Sequence, residues 1–329
     1  LNSNFELTIL SDKKIKQIKS NKNIKYFYIE TEFFKHLCLN FIRCNITVLT
    51  TPDVGNSQVV KSKFCKHYFY LFHSVVSTLM VYKKNAFTNY DTVCCNGNYQ
   101  LEELLKQEDK YNLPKKNLIK GGYPLFDILI NKRENRLNYN KVLIAPSWNP
   151  EYPDLYNIYY SNIITILLEK NFQIIFKPHY EYFKRYQKNY KDFKKKYISL
   201  SNIQFLEKDE LLDTFSDIGS LITDWSGVAY EYYYSTGGFV FFNDIPYKKL
   251  NTEAINIENI FEYYTREQIG YVLPKNNDEL KNIFVNLSSK KLNRIEVKDF
   301  FKNNFYNLGN SSKFISNAIK TINENLKLK

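Results

Sequence analysis

The sequence has few of the residues that usually form metal centres or covalent cross-links. It contains only four histidines and five cysteines in 329 residues. No cysteines show C-x-x-C or zinc-finger spacing, so we expect neither a structural metal nor a cofactor. An odd number of cysteines is not typical of a disulfide framework and favours a reducing, cytoplasmic setting. The cysteines are Cys38, Cys44, Cys65, Cys94 and Cys95.

Long apolar segments are also absent. No run of about 18 apolar residues occurs, and no secretory signal pattern is present. The sequence therefore predicts no membrane-spanning helix, and contact with the inner face of the cell membrane is expected to be peripheral. The candidate for such contact is the segment Tyr182–Lys196, in which aromatic residues recur on one helical face and lysines on the other. Alternatively, this aromatic face packs on a sheet.

Acidic residues are fewer than basic ones. The sequence contains 34 Asp and Glu and 46 Lys and Arg, which gives a formal net charge of +12. A basic balance favours polyanionic partners such as nucleotides, phosphate polymers, nucleic acid or an anionic membrane surface. Positive charge is concentrated between Lys177 and Lys196, where eight basic residues accompany two acidic ones. No nucleic-acid-binding motif is recognisable, so nucleic acid is not a predicted partner.

The hydrophobic content is sufficient for two folded domains. Hydrophobic residues make up 44% of a 329-residue chain, which is longer than one typical domain. Short apolar runs alternate with amphipathic segments, the pattern of βα units around a parallel sheet. We expect an α/β fold with two Rossmann-like domains, residues 1–135 and 141–290, facing each other across a cleft. The polar segment 132–140 is the predicted linker, and residues 291–329 are a predicted C-terminal helical segment.

The apolar runs locate the individual strands and helices. The predicted strands are Phe5–Leu10, Lys25–Glu30, Ile46–Thr50, Tyr68–His73, Thr92–Cys95 and Leu118–Gly121 in the first half, then Val142–Ala145, Gln173–Lys177, Ile203–Leu206, Ser220–Thr223 and Phe239–Asn243. The predicted helices include Tyr99–Gln107, Leu125–Asn131, Asn157–Lys170 and Val228–Tyr234. In open parallel sheets, ligands bind beyond the carboxyl ends of the strands, so the residues that follow each strand are the candidate site residues.

The segment Thr223–Gly227 joins a predicted strand to a predicted helix. Free N–H groups at a helix start bind phosphate readily, and glycine lets a ligand approach the backbone. Ser226 or Asp224 is a candidate cap for this helix. Glu231 lies one turn later and is a candidate ligand of a ribose hydroxyl. The same residues also fit a plain loop with an N-cap serine.

Three further strand ends carry polar side chains. Lys177 and His179 follow one strand, where a lysine and an imidazole can hold a diphosphate. His73 ends another strand, where an imidazole with a pKa near neutrality can serve as general base for an acceptor hydroxyl. Ser147 follows a third strand and is a candidate phosphate ligand, with Trp148 as a pocket wall or a core residue. Each histidine alone also fits an ordinary loop histidine.

Taken together and in order, these segments resemble the CDP-glycerol glycerophosphotransferase family of teichoic-acid and capsule polymerases. Phe72–His73 corresponds to the family's Trp-His-Gly-Thr-Pro element, and Gly122–Asp127 is similar to its Gly-Tyr-Pro-Arg-x-Asp element. Ile222–Glu231 follows its Ile-Thr-Asp-Tyr-Ser-Ser-x-x-Phe-Asp signature. Leu143–Trp148, Phe176–His179, Ser216–Ile218 and Phe241–Tyr247 extend the match, which runs from about residue 68 to residue 247.

The resemblance implies a GT-B fold and metal-independent transfer of a polyol phosphate, such as glycerol phosphate, from a CDP-linked donor to a glycan or lipid-linked acceptor of the cell surface. His73 then corresponds to the general base, and His179 to the histidine that contacts the donor phosphate. The resemblance also implies the remaining donor-site residues, which are Ser147, Lys177, Thr223, Asp224, Ser226, Gly227 and Glu231. Fixed hydrogen-bond donors around the phosphoryl oxygens would supply most of the catalysis.

The sequence departs from the family at several positions, and other functions therefore stay open. Ser74–Thr78 replaces the family's Gly-Thr-Pro-Leu-Lys after the histidine, Gly227 replaces its second serine, and Glu231 replaces its final aspartate. An alternative is a GT-B glycosyltransferase that uses a nucleotide sugar in capsule or lipooligosaccharide biosynthesis. A third interpretation is a basic protein that binds an anionic polymer without catalysis.

Overall fold

The structure is a computed structural model. It describes residues 6–328, apart from 12, 13, 16, 17, 19, 57, 58, 131–136, 208–210, 249–259, 294, 296 and 298. Every strand pairing in these ranges is parallel. Because parallel neighbours need a crossover between them, this agrees with the alternation of apolar runs and amphipathic segments in the sequence.

The first half of the chain contains a four-stranded sheet with the order β3-β4-β5-β6. The first two strands do not join it and form a separate pair. The strands are β1 (Leu7–Ser11), β2 (Ile24–Tyr28), β3 (Cys44–Leu49), β4 (Cys65–Leu71), β5 (Thr92–Cys95) and β6 (Asn117–Lys120). The helices are α1 (Glu32–Phe41), α2 (Thr78–Val81), α3 (Asn98–Lys110) and α4 (Pro124–Leu129).

The second half contains a six-stranded sheet with the order β12-β11-β10-β7-β8-β9. Its strands are β7 (Asn138–Ile144), β8 (Gln173–Phe176), β9 (Ile203–Phe205), β10 (Ile218–Thr223), β11 (Phe239–Phe242) and β12 (Tyr271–Val272). The helices around it are α5 (Leu155–Tyr159), α6 (Ser161–Glu169), α7 (Tyr180–Arg185), α8 (Gln187–Lys195), α9 (Leu211–Thr214), α10 (Val228–Thr236), α11 (Phe261–Ile269) and α12 (Asn277–Ser288). Strand β10 is buried along its whole length and β7 is buried from Val142 to Ile144, as expected for central strands that helices cover on both faces.

The predicted linker is only partly a linker. Residues 131–136 lie outside the described ranges, but Asn138–Asn140 form the beginning of β7. Here exposed asparagines alternate with the half-buried Tyr139, whose ring packs against Phe239 at 5.7 Å. Since only one face of the strand is covered at this point, the segment has a polar composition although it is a strand.

The C-terminal segment returns to the first sheet. Helices α13 (Phe300–Asn304) and α14 (Ser311–Lys327) follow the second domain in sequence. Nevertheless, Ile315 of α14 packs against Phe69 and Cys94 of the first sheet. The Asp127 carboxylate on α4 accepts the backbone N–H groups of Ser311 and Ser312 at 3.1 and 2.7 Å and thereby caps α14. Helices α13 and α14 thus connect the two halves of the chain.

The basic aromatic segment Tyr182–Lys196 does not present its aromatic rings to the surroundings. The chain breaks at Tyr186, which separates α7 from α8. Tyr182, Tyr190 and Phe193 are buried in the core of the second domain. Their burial leaves mainly lysines and other polar groups outward, with Phe183, which is 39% exposed, as an exception among the rings, so the segment does not form the predicted membrane-facing aromatic surface. The alternative, packing on the sheet, is correct.

Candidate functional site

The candidate site lies where the carboxyl ends of the two sheets meet. His73 follows β4, and its Nδ1 lies 3.1 Å from the carbonyl oxygen of Thr50. Because a carbonyl can only accept, Nδ1 carries the proton and Nε2 keeps its lone pair. Part of the ring is exposed, but the surrounding protein limits its hydration and lowers the pKa of His73 below the ordinary 6.5. The ring is therefore neutral near pH 7, as a general base requires.

His179 follows β8 and is the N-cap residue of α7. The backbone N–H of Glu181 donates to His179 Nδ1 at 3.1 Å, so the ring proton is on Nε2. Burial is the main cause that lowers the pKa of His179 to about 3, and nearby positive charges add to it. The sequence suggested His179 as a phosphate ligand, for which a protonated ring would be the stronger partner. The structure instead presents a neutral ring that can donate one hydrogen bond from Nε2.

The two histidines therefore have complementary roles. His73 offers a lone pair at Nε2, whereas His179 offers an N–H at the same ring position. Each follows a strand of a different sheet, yet the charge of His73 contributes to the lowering of the pKa of His179, as expected for two side chains that lie near each other. One ring can take a proton from a nucleophile while the other stabilises an anionic oxygen.

The polar residues at the ends of β7 and β10 mainly hold these two strands together. Asp224 is buried, and its carboxylate accepts the backbone N–H of Ser147 at 3.0 Å and the hydroxyl of Tyr160 at 2.7 Å. Thr223 donates its hydroxyl to the carbonyl of Ala145 at 2.7 Å. The sequence placed Thr223 and Asp224 in contact with the donor. The structure gives them internal partners, and they position the loops around the site instead.

The role of Gly227 in the structure differs from the predicted one. It was expected to let a ligand approach the backbone. A Cβ atom at Gly227 would lie 2.7 Å from Ser74 Oγ and 3.0 Å from the backbone of Val75. The glycine therefore lets the start of α10 pack against the loop that follows His73. Ser226 beside it is only half-buried, and its hydroxyl lies 3.5 Å from the N–H of Val228, so it is both a cap and accessible.

Glu231 is half-buried and takes part in a contact between the two halves. The Tyr123 hydroxyl lies 2.8 Å from the Glu231 carboxylate and 3.1 Å from the backbone carbonyl of His73. Burial raises the pKa of Glu231 to about 7, against the opposing effect of the Tyr123 hydrogen bond. Tyr123 thus connects α10 with the chain segment that carries the candidate base. Its place in the Gly-Tyr-Pro element was visible in the sequence, but its partners were not.

A group of cations lies on the second-domain side of the cleft. Lys177 follows β8, and its charge lowers the pKa of His179. Trp148 is half-buried, with the ammonium of Lys248 at 4.7 Å and the guanidinium of Arg185 at 5.1 Å from its ring centroid. Lys248 was missed in the sequence analysis, because it is one of many lysines and only the fold brings it to His179.

Two negative observations apply to the described ranges. No three His, Cys, Asp or Glu side chains converge there as a group that could hold a metal ion. No helix in these ranges combines the length and the apolar character that a membrane span needs.

Comparison with solved structures identifies the fold. A histidine variant of the wall teichoic acid polymerase TagF, soaked with CDPG, superimposes with a TM-score of 0.62 and 14% identity over 99% of this chain and 82% of that chain. TagF itself gives a TM-score of 0.57 and 15% identity over 98% and 83% of the two chains. Both sheets therefore belong to a GT-B-type fold with two Rossmann-like domains, as predicted.

A second kind of GT-B protein is also similar. The UDP-GlcNAc 2-epimerase of Methanocaldococcus jannaschii, in complex with UDP-GlcNAc and UDP, gives a TM-score of 0.50 and 15% identity over 84% of this chain and 76% of that chain. No curated protein matches the sequence. The family model described as CDP-Glycerol:Poly(glycerophosphate) glycerophosphotransferase matches residues 82–320. The match covers more than half of the chain and includes His179 and the whole Thr223–Glu231 segment. The chain belongs to this glycerophosphotransferase family and is a transferase of that type.

Proposed function

We propose that the protein transfers a polyol phosphate, such as glycerol phosphate, from a CDP-linked donor to a hydroxyl group of a glycan or lipid-linked acceptor of the cell surface. The family supports the donor class. The observation that carries the proposal is the pair of neutral histidines with opposite ring tautomers, one from each sheet, at the cleft. A base and a fixed hydrogen-bond donor on opposite walls are what an in-line phosphoryl transfer requires.

In the proposed step, the acceptor hydroxyl attacks the phosphorus atom of the donor's polyol-phosphate group. A new oxygen–phosphorus bond forms, the bond between that phosphorus and the CMP oxygen breaks, and CMP leaves. His73 Nε2 takes the hydroxyl proton. The Nε2–H group of His179 donates to a phosphoryl oxygen, and its charge contribution is small because the ring stays neutral.

We propose that this transfer is metal-independent. The positive charge that stabilises the diphosphate comes from side chains on the same wall, namely Lys177, Arg185 and Lys248. Turnover should then be unaffected by a chelator such as EDTA. Loss of turnover with the chelator and its recovery with Mg²⁺ would contradict this part of the proposal.

The first experiment is a thermal-shift series with CDP, CMP, UDP, GDP and ADP. A ligand at 100 times its dissociation constant stabilises a protein by about 2.7 kcal/mol, which raises the melting temperature measurably. Selective stabilisation by CDP supports the proposal, and CMP release from CDP-glycerol in the presence of acceptor is the activity assay that follows. Stabilisation by UDP or GDP alone would favour the nucleotide-sugar glycosyltransferase. The absence of any response would favour a non-catalytic binding protein.

We further propose that the protein contacts an anionic membrane through helix α1. Phe33, Leu37 and Phe41 recur every four residues on one face of α1 and are exposed, Phe33 by 70% and Phe41 by 65%. Phe27 and Phe64 nearby are also exposed. Residues 1–66 contain eleven Lys and Arg and five Asp and Glu, so half of the chain's net charge of +12 is in this part of the sequence. Exposed aromatic rings with surrounding basic residues fit the interface of an anionic bilayer.

Co-flotation with lipid vesicles tests this surface. We expect the protein to float with phosphatidylglycerol vesicles but not with phosphatidylcholine vesicles, and less at high salt. Replacement of both Phe33 and Phe41 by Ser should abolish flotation. Phe314→Ser removes a ring that is 42% exposed on α14 and is the matched control. Unchanged flotation of the α1 variant would contradict α1 as the contact surface.

A further inference from the structure

Lys248 is a half-buried cation that forms no ion pair with any described carboxylate, and the cations Lys177 and Arg185 lie near it. Its ammonium makes no hydrogen bond and no ion pair with the described residues, and its contact is with the Trp148 ring at 4.7 Å. A buried charge is unfavourable unless another group compensates it. Accordingly, burial lowers the pKa of Lys248 to about 8.

The described carboxylates around Lys248 do not supply this compensation. Asp224 attracts it, but the Asp224 carboxylate already accepts from Ser147 and Tyr160. Glu181 and Glu262 act on Lys248 only through their charge. Glu181 is paired with Arg185 at 2.8 Å. Burial raises the pKa of Glu262 to about 8, so that carboxyl is largely protonated at pH 7.

The neighbours on the other side of Lys248 are positive or neutral. The Trp148 ring that Lys248 contacts lies 6.4 Å from the His179 ring, and the charges of Lys248 and Lys177 both lower the pKa of His179. Arg185 shares the Trp148 ring with Lys248. The ammonium therefore lies on the same side of the cleft as His179, where no described carboxylate pairs with it.

We infer that Lys248 binds the diphosphate of the CDP-linked donor and discriminates diphosphate from monophosphate and uncharged nucleoside. The inference rests on the proposed function. The bound diphosphate supplies the missing counter-charge, and the Trp148 ring holds the ammonium in place until the donor arrives. In the free protein, Lys248 lowers the free energy of unfolding, because its ammonium is partly buried. A lysine with a purely structural role would not destabilise the free protein in this way.

The experiment compares the wild type with Lys248→Met and Lys248→Arg by titration calorimetry with CDP, CMP and cytidine. Loss of a charge-assisted contact should weaken CDP binding by about tenfold to a hundredfold in the Met variant. Cytidine affinity should stay the same, and Lys248→Arg should keep most of the CDP affinity. The free Met variant should melt at the same or a higher temperature than the wild type. Lys191→Met, which removes an exposed lysine of α8, is the matched control.

The pH dependence gives a second readout. CDP keeps its charge above pH 7, since the second phosphate pKa is about 6. CDP affinity of the wild type should fall between pH 7.5 and about 9.5 as Lys248 loses its proton, while that of Lys248→Arg should not fall. If Lys248→Met binds CDP as well as the wild type, the inference is wrong and the proposed function stands. If the wild type itself binds no CDP, the proposed function fails, and the inference fails with it.

Discussion

At the scale of single residues, the tautomers of two histidines define what the site can do. The Thr50 carbonyl determines which nitrogen of His73 is the base, and the backbone N–H of Glu181 determines which nitrogen of His179 is the donor. Both determinants are main-chain groups. A substitution of a neighbouring side chain therefore leaves both tautomers unchanged, whereas a substitution of either histidine removes the base or the donor.

His73→Gln is expected to lower the rate of transfer by about a hundredfold to ten-thousandfold, because glutamine cannot take the acceptor proton. CDP affinity should change by less than about threefold, since His73 lies on the opposite wall from the cations. Transfer is measured as CMP release and affinity by calorimetry. His36→Gln is a control on α1, outside the site. Near-normal turnover of His73→Gln would remove His73 as the general base.

The pH profile of kcat/KM should have an acid limb from His73. Because the pKa of His73 lies below 6.5, the base is active at neutral pH, and activity should fall only as the pH drops below that value. An alkaline limb near pH 8 should reflect Lys248 and should disappear in Lys248→Arg. A profile without the acid limb, measured over pH 5–9.5, would contradict the assignment of His73.

At the scale of secondary-structure elements, buried polar groups align the strand ends. Asp224 connects β10 to β7 through Ser147 and to α5 and α6 through Tyr160. On the first domain, Asp127 connects α4 to α14. Asp224, a candidate ligand residue in the sequence, and Asp127, the last residue of the Gly-Tyr-Pro element, therefore organise the fold around the site.

Asp224→Ala is expected to lower the free energy of unfolding by about 2–4 kcal/mol, because it leaves the Ser147 N–H and the Tyr160 hydroxyl buried without an acceptor. Asp224→Asn keeps one acceptor oxygen and should cost less. Urea denaturation measures the difference. Asp217→Ala removes an exposed carboxylate at the start of β10 and should cost less than about 1 kcal/mol. Equal effects of the two alanine variants would show that Asp224 is not an organising residue.

At the scale of the whole molecule, a junction of buried carboxyls joins the two domains. Glu262 of α11 accepts the backbone N–H of Ser77 at 2.9 Å, and Glu103 of α3 accepts the Ser77 hydroxyl at 2.8 Å and the Thr78 hydroxyl at 2.7 Å. The second carboxyl oxygen of Glu262 has no partner among the described residues. Burial raises the pKa of Glu103 to about 7 and that of Glu262 to about 8.

This junction predicts that stability falls as the pH rises. Both pKa values are higher in the folded protein than the ordinary 4.5, so the folded state binds more protons between about pH 4.5 and 8, and its stability declines over that window. Glu262→Gln removes one of the two titrating groups. The free energy of unfolding of this variant should therefore decline less with rising pH than that of the wild type, and the two declines should differ by on the order of 2 kcal/mol. Melting temperatures from pH 5 to 8.5 test this. Parallel curves for wild type and variant would contradict the role of Glu262; Glu102→Gln, exposed on α3, is the control.

The sequence analysis also did not predict that the C-terminal segment with α13 and α14 returns to the first sheet. Gly122 has a φ of +85°, and a Cβ atom there would lie 2.1 Å from the carbonyl oxygen of Tyr306. Only glycine tolerates both the conformation and this contact. The Gly122–Asp127 element thus packs against the chain segment that leads into α14. Its spacing was visible in the sequence, but its partner is about 185 residues away.

The sequence by itself determined the local structure of this protein. Apolar runs such as Thr92–Cys95 and Phe239–Phe242 are strands as predicted, and the polar residues after them lie at one end of their sheets, because strand formation and side-chain alternation depend on neighbouring residues. For the same reason His73, Lys177 and His179 were recognisable as strand-end residues. The order of these segments was also sufficient to indicate the family.

Only the tertiary structure decided which of these residues have free functional groups. Asp224 and Glu231 acquire buried partners from distant parts of the chain, and Lys248 loses hydration without an ion pair to any residue that the structure describes. The separation of β1 and β2 from the main sheet has the same origin. Hydrogen bonds, desolvation and packing between distant segments depend on the chain's path through space, and no local pattern of residues records that path.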